Sequence, residues 1–105
     1  MKVTFSELAT QKTTEVSAYL ASEWSEKVKK DFAETLRGKI NTIATFPESC
    51  VESEVFHNLR RCVVTKQTSF LYRIKPNEIE VVTVLDNRSS FKSIIKEIRT
   101  HYGRI

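Results

Sequence analysis

Apolar residues recur every three to four positions through the first half of the chain, which is the spacing of an amphipathic helix. After a short alternating stretch that predicts a strand around Val3 and Phe5, Ser6 is placed to cap a first helix, and a second helix follows Ser25. The apolar stripe of the first helix is Val16, Tyr19, Leu20 and Trp24, and that of the second is Val28, Phe32, Leu36, Ile40 and Ile43. Two helices with so short a link form an antiparallel hairpin, which Pro47 ends because proline cannot continue a helix.

In the second half of the chain the apolar spacing changes to every second residue, as in β-strands. Residues 59–66, 69–75 and 79–85 are rich in β-branched and aromatic side chains, and short links of the kind that join antiparallel neighbours separate them. In the third strand, strict alternation places one set of residues on one face and a second set on the other. The first set is Ile79, Val81, Thr83 and Leu85, and the second is Glu80, Val82, Val84 and Asp86. Because the centre of this strand is apolar on both sides, we expect it to be covered on both faces.

A last amphipathic helix is predicted after Ser89 or Ser90, ending near Gly103. Its apolar stripe is Phe91, Ile94, Ile95 and Ile98, and we expect it to pack on the sheet of its own domain. The order of elements is then strand, helical hairpin, three-stranded antiparallel meander and helix. This order predicts an α+β fold with helices mostly on one side of a small sheet, to which the first strand can add an edge. We expect residues 1–105 to form one domain, since a chain of 105 residues is too short for two independent cores.

Charge and cysteine usage narrow the class of protein. The net charge of +4 indicates an anionic partner, either nucleic acid or an acidic protein, but surplus lysines that only favour solubility give the same charge. The first residues lack the apolar core of a secretion signal, and no apolar run has the length of a membrane span. Cys50 and Cys62 stand without a CxxC spacing or nearby histidines. We therefore expect structural thiols in a reducing cytoplasm, with no metal, cofactor or disulfide framework.

The candidate chemistry lies in cations on or beside the predicted sheet. They are Arg60, Arg61, Lys66, Arg73 and Arg88, with Lys75 at the end of the second strand. Such a group can hold phosphates, and an arginine can stabilise the negative charge that develops on a phosphoryl group under attack. The structural alternative is that the strand cations form a solvated face and that Arg88 pairs with Asp86.

RNA scission would also need side chains that accept and donate protons. The candidates are Glu52, Glu54, His57, Tyr72 and His101, none of which the sequence brings together. Tyr72 is also placed to pack in the core with its hydroxyl at the edge, and packing is the expected role of Trp24 as well.

Four stretches of the chain resemble, in order and spacing, the RelE/ParE superfamily of toxins from bacterial toxin–antitoxin modules. They are "VTFSELATQ", "YLASEWSEKVKKDFAETLRGKINTIATFPES", "NLRRCVVTKQTSFLYRI" and "IEVVTVLDNRSS". The likeness runs from Val3 to about Phe91, and its most specific parts are the aromatic–proline end of the hairpin, the "LR" that opens the meander, the "SFLYRI" strand and the terminal "DNR".

The resemblance implies a cytoplasmic toxin that forms a hetero-oligomer with a small antitoxin, whose flexible segment wraps around it and neutralises it. It implies neither a cofactor nor a membrane partner. The superfamily divides by target. ParE-like toxins poison DNA gyrase and have no comparable nuclease site, whereas RelE-like toxins cut mRNA on the ribosome with basic residues of the sheet and a further acid/base side chain.

This sequence keeps part of the RelE-like pattern. Arg88 matches the catalytic arginine that RelE-like enzymes carry at the end of the last strand, but Ser69 replaces an arginine often found at the start of the preceding strand. Phe91 and Ile94 stand where these nucleases commonly place a tyrosine or histidine. His101 and Tyr102 come later than that pattern requires.

These departures favour a plasmid-stabilisation toxin that inhibits growth by binding an essential target such as DNA gyrase. Arg88 is then a catalytic residue only if the protein is a nuclease. The residues expected to bind phosphate or target are Arg60, Arg61, Lys66 and Arg73. Two alternatives remain open: a ribosome-dependent mRNA interferase with a diverged active site, and an inactive toxin-like binding module.

Overall fold

The computed structural model describes residues 1–56 and 58–103, and His57, one of the candidate bases, lies outside the described residues. Within these described residues, four strands and three helices follow one another as β1 (Lys2–Phe5), α1 (Glu7–Glu23), α2 (Glu26–Thr45), β2 (Arg60–Val63), β3 (Thr68–Ile74), β4 (Glu78–Asp86) and α3 (Phe91–Tyr102). The predicted α+β order is confirmed. Among the described helices, none combines the length and apolar character needed to cross a bilayer.

A serine is the N-cap residue of each of the helices α1, α2 and α3. The hydroxyl oxygen of Ser6 accepts a hydrogen bond from the amide of Ala9 at 3.0 Å, that of Ser25 from Val28 at 3.1 Å and that of Ser90 from Ser93 at 3.1 Å. Each bond satisfies an amide that would otherwise lack a partner in the first helical turn. With only Trp24 and Ser25 between them, α1 and α2 form the predicted hairpin.

The sheet has the strand order β1-β4-β3-β2. β2, β3 and β4 form the expected antiparallel meander, while β1 lies parallel to β4 and pairs only with the first part of it, from Lys2 opposite Glu78 to Phe5 opposite Val81. The second half of β4 therefore has no strand on that side. Helices α1 and α3 approach each other there, and the Lys12 ammonium lies 2.6 Å from the Glu97 carboxylate.

A β-bulge changes which residues of β4 share a face. Leu71 lies opposite Thr83 but Tyr72 lies opposite Val81, so Val82 is an extra residue without a partner in β3. The prediction of strict alternation is wrong beyond this point. Val84 joins Ile79 and Val81 on one face of the sheet, whereas Leu85 joins Val82 on the other.

Each face of the sheet carries its own core. The hairpin-face core packs α1 and α2 on the sheet and includes Phe32, Leu36, Ile43, Phe70 and Tyr72. The α3-face core includes Leu59, Leu71, Val82, Leu85, Ile94 and Ile98. The expectation that the last helix packs on its own sheet is confirmed, and so is the covering of β4 on both faces. Two helices thus lie on one side and one on the other.

Three large apolar side chains assigned to buried stripes are exposed. Trp24 is 69% exposed and Tyr19 is 56% exposed on the hairpin, and Phe91 is 53% exposed at the start of α3. The predictions that these residues pack in a core are wrong. Tyr19 lies near the C-terminal end of α1, Trp24 is its C-cap residue, and Phe91 is the first residue of α3.

Candidate functional site

A groove runs between the helical hairpin and the end of the sheet where β4 leaves it. We call it the Arg88 groove. Its volume is about 520 Å³ and its wall on the hairpin side includes Tyr19, Trp24 and Asp31. The opposite wall is formed by the turn between β2 and β3 together with the end of β4, and it carries Thr65, Gln67, Thr68, Asp86 and Arg88.

Arg88 is held at this groove by Asp86. The guanidinium donates two hydrogen bonds to the carboxylate, from Nε to Oδ1 at 3.0 Å and from Nη2 to Oδ2 at 2.8 Å, and the Arg88 amide donates a third to Oδ1 at 2.8 Å. The side-chain bonds, followed by the amide bond, lower the pKa of Asp86 to about 2. The Asp86 carboxylate in turn raises the pKa of Arg88. The pairing expected from the sequence is therefore present, and both side chains remain accessible to a partner.

The aromatic wall is the feature of the groove that the sequence-based analysis missed. Tyr19 and Trp24 are exposed, and the half-buried Leu20 and Val28 and the buried Phe32 line the same groove. A groove that joins apolar walls to one anchored ion pair can bind a protein segment through burial of its aromatic surface. The sequence feature that could have indicated the exposure of Trp24 is its position at the end of the first helix, because this position limits how far the sheet can cover the side chain.

Behind Arg88, the side chain of Asn87 joins the end of β4 to its neighbours. Its Oδ1 accepts hydrogen bonds from Arg61 Nη2 at 2.9 Å and from Ser69 Oγ at 2.5 Å, while its Nδ2 donates to the Lys66 carbonyl at 3.0 Å. Ser69 is fully buried. Arg61 and the Lys66 backbone thus lie at the same end of the sheet as Arg88, but Arg61 is engaged in holding Asn87.

Arg60 lies on the other side of β2 and holds the loop that follows the hairpin. Its Nη1 donates to the Cys50 carbonyl at 2.7 Å and to the Glu48 carbonyl at 3.4 Å, and its Nη2 lies 3.8 Å from the Glu52 carboxylate. These contacts make Arg60 a residue that fixes the loop.

Arg73 lies toward the far end of β3 and pairs with Glu80 on β4, with Nε 2.7 Å from the carboxylate oxygen. Lys75 lies 3.6 Å from Glu78 and 4.0 Å from the same Glu80 oxygen. Arg60 and Arg73 thus lie away from Arg88, whereas Arg61 and the Lys66 backbone lie at its end of the sheet. Of the five predicted cations, only Arg88 lines the groove.

Of the predicted acid/base side chains, the four that the structure describes do not meet Arg88 either. Glu52 faces Arg60, and Tyr72 is buried, where it donates a hydrogen bond to the Pro47 carbonyl at 2.7 Å and where burial raises its pKa. Glu54 and His101 are exposed and do not line the groove. Within residues 1–56 and 58–103, no group of three or more His, Cys, Asp and Glu side chains is arranged to hold a metal ion.

Comparison with known proteins agrees with the resemblance found in the sequence. The family model of the ParE toxin of the type II toxin–antitoxin system parDE matches residues 3–91. The chain belongs to the ParE toxin family. That match contains β1 to β4 and the Arg88 groove but ends at the first residue of α3.

Two solved structures share the fold of this ParE-family chain. One is titled as the chromosomal ParDE toxin–antitoxin system from P. aeruginosa, with a TM-score of 0.70 and 11% identity, over 82% of this chain and 95% of that chain. The other is the solution structure of a conserved hypothetical protein from Helicobacter pylori, with a TM-score of 0.54 and 15% identity, over 83% of this chain and 94% of that chain. Among curated proteins, none matches the sequence significantly.

In this ParE-family chain the arrangement around Arg88 is suited to recognition. The Asp86 carboxylate, with its pKa lowered to about 2, stays ionised near neutral pH and orients the Arg88 guanidinium through Nε and Nη2. The groove offers aromatic area, one anchored cation and hydroxyl groups.

Proposed function

We propose that this ParE-family toxin inhibits growth by binding an essential target such as DNA gyrase through the Arg88 groove, with no bond-breaking chemistry of its own. The observation that carries the proposal is the Asp86–Arg88 ion pair, with Nη2 2.8 Å from Oδ2, at the mouth of an aromatic-walled groove. Binding through such a surface needs exposed aromatic area and an oriented charge, both of which the groove has.

The distribution of cations also supports binding over RNA cleavage. A nuclease site needs its phosphate-holding cations and its proton-transfer groups around one reacting phosphate. Here Arg60, Arg61 and Arg73 are each engaged elsewhere, with the Cys50 carbonyl, Asn87 and Glu80. None of these three, nor the exposed Lys66, lines the groove.

We further propose that a cognate antitoxin neutralises the protein in a cytoplasmic hetero-oligomer. The net charge of +4 suits an acidic partner segment, because complementary charge speeds association and excludes wrong partners. A flexible segment that folds as it binds would cover a large surface of the toxin. Its affinity per unit of buried interface area would be modest, because ordering the segment costs entropy.

Expression of this chain in bacteria without its antitoxin tests the proposal. We expect growth to slow, purified protein to inhibit gyrase supercoiling, and mRNA to remain uncut in a translation extract. Arg88→Ala should weaken both growth inhibition and gyrase inhibition, by about tenfold if the guanidinium contributes about 1.4 kcal/mol to target binding. Arg73→Ala is the matched control, since it also removes an arginine of an ion pair but lies away from the groove.

Three results would contradict the proposal. Normal growth in cells that contain folded, intact protein would argue for an inactive binding module. Ribosome-dependent cleavage of mRNA that is lost in Arg88→Ala would establish the diverged interferase instead. Equal loss of gyrase inhibition in both variants would show that the groove is not the binding site.

A further inference from the structure

Cys50 and Cys62 come from different segments of the chain that pair with each other. The loop after the hairpin runs antiparallel to β2, with Glu52 paired to Arg60 in an isolated bridge. The Ser53 amide donates to the Leu59 carbonyl at 2.8 Å and the Arg61 amide to the Val51 carbonyl at 2.9 Å, on either side of that bridge. Extending this register by two residues leads from the bridge to Cys50 on the loop and Cys62 on β2, and Cys50 packs against the core that contains Cys62.

The hydrogen-bond pattern also defines the type of pair. The amides of Ser53 and Arg61, on either side of Glu52 and Arg60, make the hydrogen bonds, so Glu52 and Arg60 are a non-hydrogen-bonded pair. Cys50 and Cys62 occupy the next position of this type along the same register. Such pairs have Cα atoms roughly 4.5 Å apart. That spacing lies within the range of about 4.4–6.8 Å that a disulfide spans.

The two side chains point to the same side of the sheet. Cys62 belongs to the hairpin-face core, and Cys50 packs against that core from the loop. An interaction with the Cys50 thiol is also one cause of the raised pKa of Cys62. Both are reduced in this structure.

The two thiols differ in their exposure to solvent, and this difference determines which of them reacts first. Cys62 is only 5% exposed, whereas Cys50 is half-buried at the surface of the loop. Burial, followed by the interaction with the Cys50 thiol, raises the pKa of the Cys62 thiol to about 12. A reagent from solution therefore meets Cys50 first, because thiolate character and access together govern thiol reactivity.

We propose that Cys50 and Cys62 are a reversible redox-modification site that reacts with low-molecular-weight disulfides such as oxidised glutathione. The Cys50 thiolate attacks the disulfide, forms a mixed disulfide and releases one glutathione thiolate, which takes up the proton that Cys50 lost. The Cys62 sulfur then attacks the Cys50 sulfur and expels the second glutathione, which takes up the proton of Cys62. Two protein thiols are oxidised to one disulfide while one oxidised glutathione is reduced to two thiols.

The disulfide would tie the loop after the hairpin to the outer edge of β2. That edge is now held by two backbone hydrogen bonds and by the contacts of Arg60. A covalent link between residues 50 and 62 restricts the unfolded chain, so the oxidised protein should have a higher urea midpoint than the reduced protein. Neither cysteine lines the Arg88 groove.

Mass spectrometry of the folded chain after incubation with oxidised glutathione tests the inference. We expect a monomer lighter by two hydrogen atoms that resists maleimide, and restoration of both thiols by a reductant. Trypsin should release a linked pair of peptides, residues 40–60 joined to residues 62–66, since Arg60 and Arg61 separate the two cysteines.

The single-cysteine variants serve as matched controls. Cys62→Ala should retain one glutathione on Cys50, because no second thiol can expel it. In Cys50→Ala, Cys62 is the cysteine left to react. We expect its reaction with oxidised glutathione to be at least about tenfold slower than that of Cys50 in Cys62→Ala. Three results for the wild-type chain alone would overturn the proposal: stable glutathione on Cys50 without the linked peptides, two free thiols after incubation, or a disulfide between two chains.

Discussion

At the scale of single residues, Asp86 and Arg88 form an ion pair in the lining of the groove, which also includes Asp31. The carboxylate accepts three hydrogen bonds from Arg88, and they lower its pKa to about 2. We expect the side-chain carboxyl resonance of Asp86 to titrate near pH 2 in a carbon NMR experiment. In Arg88→Gln the midpoint should rise toward the ordinary value of 3.8, because the charged donors are lost while the backbone amide can remain. An unchanged midpoint would contradict the assigned pairing.

The same shift defines a pH window for stability. The pKa of Asp86 is lower in the folded chain than in the unfolded chain, so its contribution to the free energy of unfolding is fully present above about pH 4. It is lost as the pH falls toward 2. Because Arg88 and Asp86 are exposed, solvent screens the pair, and the difference in acid stability between wild type and Arg88→Gln should be small.

Tyr72 is a residue whose hydroxyl matters for stability. It is fully buried and donates a hydrogen bond of 2.7 Å to the Pro47 carbonyl, which joins β3 to the loop after the hairpin. Tyr72→Phe should lower the free energy of unfolding by about 1 kcal/mol, since it removes one buried hydrogen bond and leaves the ring in place. Urea unfolding followed by circular dichroism measures this. Tyr19→Phe removes the same hydroxyl from an exposed ring and should change the midpoint little.

At the scale of elements, α3 is held to the sheet by a narrow stripe. Ile98 is fully buried against the α3-face core, and the hydroxyl of Tyr102 donates to the Val82 carbonyl at 3.1 Å. Ile98→Ala should cost about 2–5 kcal/mol because it leaves a cavity under the helix. Lys92→Ala, on the exposed first turn of the same helix, should have little effect on urea unfolding. If both variants lost a similar amount of unfolding free energy, α3 would be stabilised by its own helix-forming tendency and not by packing on the sheet.

The helices and strands themselves could be predicted from local sequence patterns. Ser6 and Ser25 cap the helices as expected, and the helical stripe from Phe32 to Ile43 is buried as the 3.6-residue period requires. The exposure of Trp24 could not be predicted in the same way. Periodicity identifies which side of a helix is apolar, but how far the sheet extends beneath it depends on the length of the neighbouring strands.

At the scale of the whole molecule, the two cores are coupled through shared strands. β3 and β4 contribute Phe70 and Val81 to the hairpin-face core and Leu71 and Val82 to the α3-face core. Loss of either layer exposes the opposite side of the same strands. The chain should therefore unfold in one cooperative step.

Destabilising each core separately tests this coupling. Ile43→Ala weakens the hairpin-face core and Ile98→Ala the α3-face core, and both side chains are fully buried. Each variant should lower one common urea midpoint, with the same transition seen in backbone circular dichroism and in amide exchange of α2 and α3. A separate early transition of α3 in Ile98→Ala would show that this helix unfolds on its own.

The sequence by itself determined the order of elements, the helix caps, most of the apolar positions and the resemblance to a toxin family, because these depend on local periodicity and on motif order. It also singled out Arg88 and offered pairing with Asp86 as a structural alternative for it, since the two residues are close neighbours in the chain. Only the tertiary structure decided that Arg60, Arg61 and Arg73 lie apart, that Leu85 changes face after the bulge at Val82, and that Cys50 meets Cys62. These features depend on strand register, and register follows from how the faces pack as a whole, which no local pattern specifies.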